Sequence, residues 1–482
     1  MVPSSLGEQS MSTQIQEIRQ PRSPFWRSVA EAIRGTHQDF TAGPISRAIL
    51  LLATPMVLEM LMESLFAIVD MFWVTRLGAD AVATIGLTES MLTILFSVAF
   101  GVSLSTTAMV ARRIGEKDGA GATTAGAQSI LLGSVMALAM GVPGFLFAPQ
   151  LLSLMGASSQ MVASGQHYTA VAFSSSLIIM LLFLNNAILR GAGDAAAAMR
   201  VLWLSNLINL LLDPCFIFGL GPFPELGVTG AAVSTLIGRS SGVLYQFWLL
   251  ARPNGRITIR LADLRIVPRV ITSLARVSAT GIAQFAVGHT SWVVLVRIVS
   301  SFGAAAVAGY AIGIRVFLFV LLPSWGLSGA AATMVGQNLG AGKPERAQRA
   351  VYLTGFYNML FLGLVSVVFI AAPHAIIDRF TTDPSVAPYA VDFLQIIAYG
   401  NLIYAFGMVM VQALNGAGDT VTPTLINVVG YWCIEVPLAY LLAFRWNLQV
   451  RGVFITIPIA QLVITLISLG VFARGGWKRK KI

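Results

Sequence analysis

The chain reads as an all-α integral membrane protein of twelve transmembrane helices, built as two six-helix bundles related by a parallel pseudo-two-fold repeat. Three observations predict this. Of its 482 residues, 56% are hydrophobic and only 11% are charged, against about 25% charged in an average soluble domain. Apolar runs of about twenty residues or more recur along the chain, each long enough to cross the ~30 Å hydrocarbon core as a helix. Segments of the first half return in the second at one offset, 225 residues.

The apolar runs place the spans near 46–74, 84–111, 123–146, 163–189, 196–220, 227–251, 270–300, 306–335, 347–371, 388–414, 424–444 and 452–473. Strands of a membrane barrel would be about ten residues long and alternating, and these runs are neither. Residues 1–40 are polar, lack the short apolar core of a signal peptide, and are expected to form a cytoplasmic leader. The N-terminal bundle then covers 41–251, a basic cytoplasmic linker 252–269, the C-terminal bundle 270–473 and a basic cytoplasmic tail 474–482. Charge orients the spans. Segments 1–47, 112–117, 190–200, 252–276, 343–349 and 474–481 hold 24 of the 31 lysines and arginines. The alternate loops hold Arg76, Arg379, Arg445 and Arg451, while Arg239, Arg297 and Arg315 fall within spans. The excess predicts both termini on the cytoplasmic side of an inner or plasma membrane. The net charge of +10 therefore calls for no nucleic-acid partner. Cys215 and Cys433 both lie in apolar segments and suggest no disulfide framework.

The repeat is carried by three separated stretches. "ILRGAGDAAAAM" (188–199) returns as "ALNGAGDTVTPT" (413–424), "MVARRIGEKDGAG" (109–121) as "MVGQNLGAGKPER" (334–346), and "LGADAVA" (77–83) as "FGAAAVA" (302–308). Elsewhere the offset slips, so that "DP" at 213–214 faces "VP" at 436–437 and "VTGAA" at 228–232 faces "VRGVF" at 450–454. Six helices per half is an even number, so both halves enter the membrane in one sense. Parallel repeats about an axis along the membrane normal, with a cleft between them, are a transporter architecture. The paired "GAGD" runs at 191–194 and 416–419 read as turns that cap the following helices.

The chemistry sits in carboxylates placed where a bilayer disfavours them. Asn209 and Asp213 are four residues apart and share a helix face. Pro214 cannot donate to the carbonyl of Leu210, which frees an acceptor nearby. A structural alternative makes Asp213 an inert cap on a local break, but intramembrane ionisable groups are usually functional. Glu59, Glu63 and Asp70 fall on one stripe of the first helix and should face the bundle interior or a wet cavity. Asp70, Asp213 and Thr235 lie at similar depths, roughly 8–12 Å below the outer surface at 1.5 Å per residue, so one site can contain all three. Two carboxylates at close range in a poor dielectric cannot both stay ionised, so such a pair takes up a proton or a cation. Asn209 and Thr235 add oxygens that suit Na⁺ or a protonated acid equally. Glu435, beside Pro437, is the clear intramembrane acid of the second half, a cavity ligand or a structural partner. Glu59 and Glu63 are either a packing pair or part of a proton route or substrate cavity. Arg297 and Arg315 pair with acids or snorkel, and His289 reads as a packing residue.

The motifs "VDMFWVTRLGADAVA" (69–83), "LRGAGD" (189–194), "NLLLDP" (209–214) and "GVTGAAVST" (227–235), together with the duplication, resemble the MATE family, the multidrug and toxic compound extrusion transporters. The likeness covers nearly all of the chain after the leader. The gathering of acids in the N-terminal half resembles the DinF-like subgroup. That resemblance implies a coupling-ion site in the N-terminal bundle, with Asp70 matching "VDMFWV", Asn209 and Asp213 matching "N-x-x-x-D-P", and Thr235 matching "GAA-x-x-T". Glu59 and Glu63 are not part of that pattern. The NorM-like subgroup carries a glutamate in the seventh helix; the matching position here is Gly288, a departure from that pattern.

The expected function is secondary active export of amphipathic, mostly cationic compounds against protons or Na⁺, by a protein working as a monomer in the lipid bilayer. No catalysis, no cofactor and no metal beyond a possible Na⁺ are expected. A lipid-linked oligosaccharide or lipid flippase is the alternative; such proteins favour a strongly cationic cavity, and only three arginines fall within spans here. An intramembrane aspartyl protease, suggested by G-x-G-D, is disfavoured because the motif repeats at the edge of the membrane beside charged residues. No Walker-type G-x-x-x-x-G-K-[ST] is present, so ATP is not the expected energy source.

Overall fold

A computed structural model describes residues 25–35, 38–253 and 255–480. Most of the expected leader (1–24 and 36–37) and the last two residues of the tail lie outside the described residues. Twelve long helices follow one another: α1 Ile45–Val74, α2 Ala79–Gly115, α3 Gly119–Leu146, α4 Ser159–Gly191, α5 Ala195–Phe218, α6 Val228–Ala251, α7 Pro268–Ser300, α8 Ala304–Gly340, α9 Pro344–Ala371, α10 Ala387–Gly416, α11 Val421–Arg445 and α12 Gln449–Ala473. Eleven are long and apolar enough to cross a membrane. The other, α6, has 24 residues but dilutes its apolar face with Ser, Thr, Gly, Arg239 and Gln246. Those small and polar residues pack inward: α6 lies along α5 and α4, and Gln246, fully buried, donates to the Leu182 carbonyl and to Asn186 Oδ1. A helix polar towards its neighbours reads weakly on hydropathy and still spans. A short helix, Phe25–Arg34, precedes α1 and packs on it.

The helix ends follow local chemistry. Asp194 accepts from the Ala197 N–H at 3.1 Å and caps α5. Gly193, at φ +86°, makes the left-handed turn before it, which glycine adopts without Cβ strain. Pro268 and Pro344 open α7 and α9 at positions whose N–H has no helical partner. α4 is interrupted by a turn at Ser175, and α11 carries π turns over Val428–Glu435 and Leu441–Arg445.

The cores follow the two halves of the chain. One gathers Leu95, Val102, Ile179, Met180 and Leu184, and another Leu295, Tyr310, Phe393 and Phe454. A further cluster crosses between halves, joining Leu52 and Met56 of α1 to Ala330 and Met334 of α8. The halves meet along α1 with α8 and along α2 with α7 and α8. Small residues let these backbones approach, as is usual where dispersion rather than solvent exclusion drives helix pairing. At Gly326 an added Cβ would stand 2.5 Å from the Met56 carbonyl oxygen.

Polar contacts between halves gather at the end carrying the short helix Phe25–Arg34, the linker and the other basic segments, called here the basic end. Ser105 meets Ser278 at 2.6 Å, Thr333 and Gln337 donate to the carbonyls of Arg190 and Gly191, and Arg346 donates to the carbonyls of Phe40, Ala42 and Gly43. Among the described residues, no hydrogen bond or ion pair joins the halves nearer the far end than Ser105–Ser278. Among the described residues the polar contacts between the halves therefore lie towards the basic end, and beyond them the halves also meet through apolar contacts such as Phe100 stacked on Phe285.

Candidate functional site

In the far part of the first half, three expected residues come together. Asn209 Nδ2 donates to Thr235 Oγ1 at 3.0 Å and to Asp213 Oδ1 at 3.3 Å. The α5 spacing of four residues sets the first two on one face, and the close packing of α6 brings in the third. Gly238 makes that packing possible: an added Cβ would meet the Ser205 carbonyl oxygen at 2.7 Å and Asn209 Cβ at 2.9 Å. Ser234 also donates to Asp213 Oδ1, a partner the sequence pattern did not single out. Asp213 is fully buried and Asn209 nearly so. Two oxygens remain without a partner, Asp213 Oδ2 and Asn209 Oδ1. Buried acceptors without donors are costly, so this site has capacity for a proton or a small hard cation.

Asp70 stands beside this cluster rather than in it. It makes no direct hydrogen bond to the three, but its charge acts on Asp213, Glu89 and Arg239. Glu89 of α2 and Arg239 of α6 were not assigned roles from the sequence. Glu89 could have been, since it is a carboxylate ten residues into an apolar helix, the same signal that marks Asp213. Arg239 follows Thr235 by one turn and faces the cleft.

The acidic stripe of α1 points to one side of the helix but to different partners. Glu59 is fully buried. Its Oε1 accepts from Arg190 Nη2 at 2.9 Å and Asn186 Nδ2 at 3.1 Å, while Oε2 has no partner. Glu63 Oε2 accepts from Asn206 Nδ2 at 3.0 Å. From Asp70 to Glu63 and Glu59, α1 runs roughly 10 and 16 Å at 1.5 Å per residue, so the stripe does not form one site. Arg190, next to the "GAGD" turn, does more than its neighbours' capping implies, because it holds Glu59.

Glu59, Glu63, Arg190 and Arg239 line a cavity of about 750 Å³ between the halves. Glu435 lines it from the other half, with Trp292, Trp325, Tyr404 and Tyr431 among its walls. Glu435 is buried and accepts from Ser291 of α7 at 2.9 Å. It ends the π turn Val428–Glu435, and such local widening of a helix is frequent at functional positions. Gly288, the position where the NorM-like pattern has a glutamate, faces Tyr431, 3.6 Å from where its Cβ would be. Among the described residues, no group of three or more His, Cys, Asp or Glu could hold a metal ion.

The MatE family model matches residues 55–215 and again 282–441, once in each half. The chain belongs to the MatE family. The two matches start 227 residues apart, close to the internal offset, so the duplication is the family's own. The curated relatives of this MatE protein include the "FAD transporter" of Shewanella oneidensis, 27% identical over 88% of this chain and 93% of that one. The "Probable multidrug resistance protein NorM" of Thermotoga maritima is 26% identical over 91% and 94%, and the protein of that name from Pseudomonas aeruginosa is 29% identical over 85% of each. Among solved structures, a "MATE in the straight conformation" superposes with a TM-score of 0.85 at 23% identity, covering 94% of this chain and 99% of that one. An "outward-facing conformation of a multidrug resistance MATE family transporter" gives 0.85 at 23%, covering 92% and 98%. These likenesses establish the twelve-helix fold. The protein is a multi-pass membrane transporter of small molecules, not an enzyme, and neither the flippase nor the protease reading is favoured.

Proposed function

We propose that this MatE protein exports amphipathic, mostly cationic compounds, driven by protons or Na⁺ returning through a site made by Asp70, Asn209, Asp213 and Thr235. The observation that carries the reading is the pair of buried oxygens without partners, Asp213 Oδ2 and Asn209 Oδ1, in the far part of the first half. One proton on Asp213 relieves the desolvated carboxylate and makes it a donor. A Na⁺ between the two oxygens relieves both. Either event removes charge beside Asp70 and changes which packing of the halves is favoured, as a coupled transporter requires. The acids of the N-terminal half support a DinF-like member.

Cargo occupies the cavity between the halves. Glu59 is matched by Arg190, which leaves Glu63 and Glu435 against Arg239 in the lining, a balance that favours cations. The aromatic walls add cation–π attraction. Glu435 brings a carboxylate from α11 to Ser291 of α7, the helix in which Gly288 leaves the NorM-like glutamate missing. The basic end is the cytoplasmic side of an inner or plasma membrane, by the positive-inside bias, and the working unit is a monomer. The name of the Shewanella relative makes FAD, an anion, the informative contrast.

Reconstituted vesicles test this. Efflux of a fluorescent cation is measured under an imposed pH gradient and, separately, an imposed Na⁺ gradient. One of the two should drive efflux of the cation but not of FAD. If neither gradient drives it, or FAD is carried and the cation is not, the reading fails.

A further inference from the structure

At the basic end, the adjoining ends of α4, α5 and α6 and the start of the linker enclose a second pocket of about 310 Å³. Its charged lining is Asp194, Arg200, Arg252 and Arg256, and the rest is mainly aliphatic, Leu249 included. Asp194 is matched: it caps α5, and its charge acts on Arg256. Arg256 is also spent on structure, donating to the carbonyls of Ala192 and Gln38 at 2.9 Å each. The other two arginines are not. Arg200 uses Nη1 on the Arg34 carbonyl and keeps its remaining donors. Arg252 lies over the Trp248 ring, 3.5 Å from its centroid, and its guanidinium makes no hydrogen bond or ion pair among the described residues. Two guanidiniums with N–H donors to offer thus face one pocket, with no second carboxylate to neutralise them.

Through Arg252, which lies over Trp248, the pocket adjoins an apolar ridge. Leu244, Phe247 and Trp248 lie at helical spacing on one face of α6 and are 70%, 39% and 50% exposed, a surface that lipid covers in a membrane. A headgroup at the guanidiniums would lay its acyl chain along this ridge. Guanidinium forks suit phosphate oxygens, and basic pockets between helices on the inner side of a membrane protein recruit anionic headgroups. Tryptophan at the interface, here stacked on Arg252, belongs to the same boundary.

We propose that this pocket binds the headgroup phosphate of an anionic phospholipid from the leaflet at the basic end. A free phosphate ester offers the same group without the chain, and the ridge favours the lipid. Bound there, the lipid ties α5 and α6, which carry Asn209, Asp213 and Thr235, to the linker. Naming the leaflet cytoplasmic rests on the orientation proposed above; the binding does not, and neither does its test.

The test uses the full chain purified in detergent, with binding followed by calorimetry. Short-chain phosphatidylglycerol should bind saturably and short-chain phosphatidylcholine should not. The double variant Arg200→Gln/Arg252→Gln should bind about twenty-five-fold more weakly, roughly fivefold for each arginine. Arg252→Gln alone, an exposed change, should give the fivefold loss even if the double variant misfolds. Arg269→Gln/Arg276→Gln, which removes two exposed arginines of the same end outside the pocket, should bind as wild type does. Equal affinity in the Arg200/Arg252 variants, or equal binding of phosphatidylcholine, would overturn the site. Glycerol phosphate binding as tightly as phosphatidylglycerol would overturn the lipid as its source.

Discussion

The two halves of the molecule come from one duplicated unit, yet they have taken different chemistry. In the first, α5 and α6 bring Asn209, Asp213, Ser234 and Thr235 into one buried hydrogen-bonded cluster beside Asp70. The repeat places Leu295, Trp432, Val436 and Ile457 opposite Asp70, Asn209, Asp213 and Thr235. There the matching space is apolar: Leu295 is buried in the core of the second half, and Trp432 spends its indole N–H on the Val287 carbonyl. The acid of the second half, Glu435, sits one residue before the position that matches Asp213, and the π turn that ends on it aims it into the central cavity instead. A one-residue step on a helix turns a side chain by about 100°. Related backbones thus carry a buried polar cluster in one copy and an apolar space in the other, with the acid of α11 turned to the cavity by its π turn; on the proposed function, the first is the ion site and Glu435 a cargo contact.

Breaking that comparison at its polar copy should have the largest effect. Asp70→Asn keeps shape and hydrogen-bonding capacity but removes the charge beside Asp213. Gradient-driven efflux should fall about a hundredfold, equivalent to a loss of ~3 kcal/mol of ion-dependent bias between states. Efflux by reconstituted vesicles at matched protein levels measures it, and retention of half the wild-type rate would remove Asp70 from the site.

Glu59 should separate support from coupling. Glu59→Gln leaves a half-buried Arg190 without its carboxylate, and losing such a charge-assisted bond costs about 1.5–3 kcal/mol. Thermal unfolding in detergent should show a clear loss of stability. The additional substitution Arg190→Gln should recover part of that loss. No recovery would show that the pair is not what holds the two residues in place.

In the second half the expected effect is smaller and selective. Glu435→Gln should raise the apparent KM for a monocationic cargo about tenfold, the worth of one charge-assisted contact, and leave a neutral amphiphile unaffected. Equal loss for both would make Glu435 a structural partner of Ser291. Least of all should change at Val436→Asn, which places a polar group at the position matching Asp213. Efflux per folded molecule should stay within about twofold of wild type.

Much of this contrast was legible in the sequence, for reasons that are physical. Helix lengths and the repeat are long-range signals of hydropathy and spacing, and α6 was recognisable as a span although its hydropathy is diluted by residues that pack inward. Asn209 and Asp213 were legible as a pair because a helix fixes what lies four residues apart. Thr235 was placed with them by depth, which chain length along a helix sets. Ser234 was not, because its reach to Asp213 beside that of Thr235 to Asn209 depends on the rotation of α6, which packing at Gly238 decides. The Glu59–Arg190 pair joins residues 131 apart, and each had a plausible local reading of its own. The π turns of α11 leave no periodicity in the sequence, so the direction of Glu435 had to come from the structure.

On the proposed function the ion couples through Asp213 in the first half and not through its counterpart, Val436, in the second. Gradient-driven efflux should be measured side by side for wild type, Asp213→Asn and Val436→Asn in vesicles of matched protein content, under whichever gradient drives the wild type. Asp213→Asn should lose nearly all efflux while retaining cargo binding and thermal stability, and Val436→Asn should remain near wild type. Wild-type efflux from the Asp213→Asn vesicles would contradict coupling through Asp213.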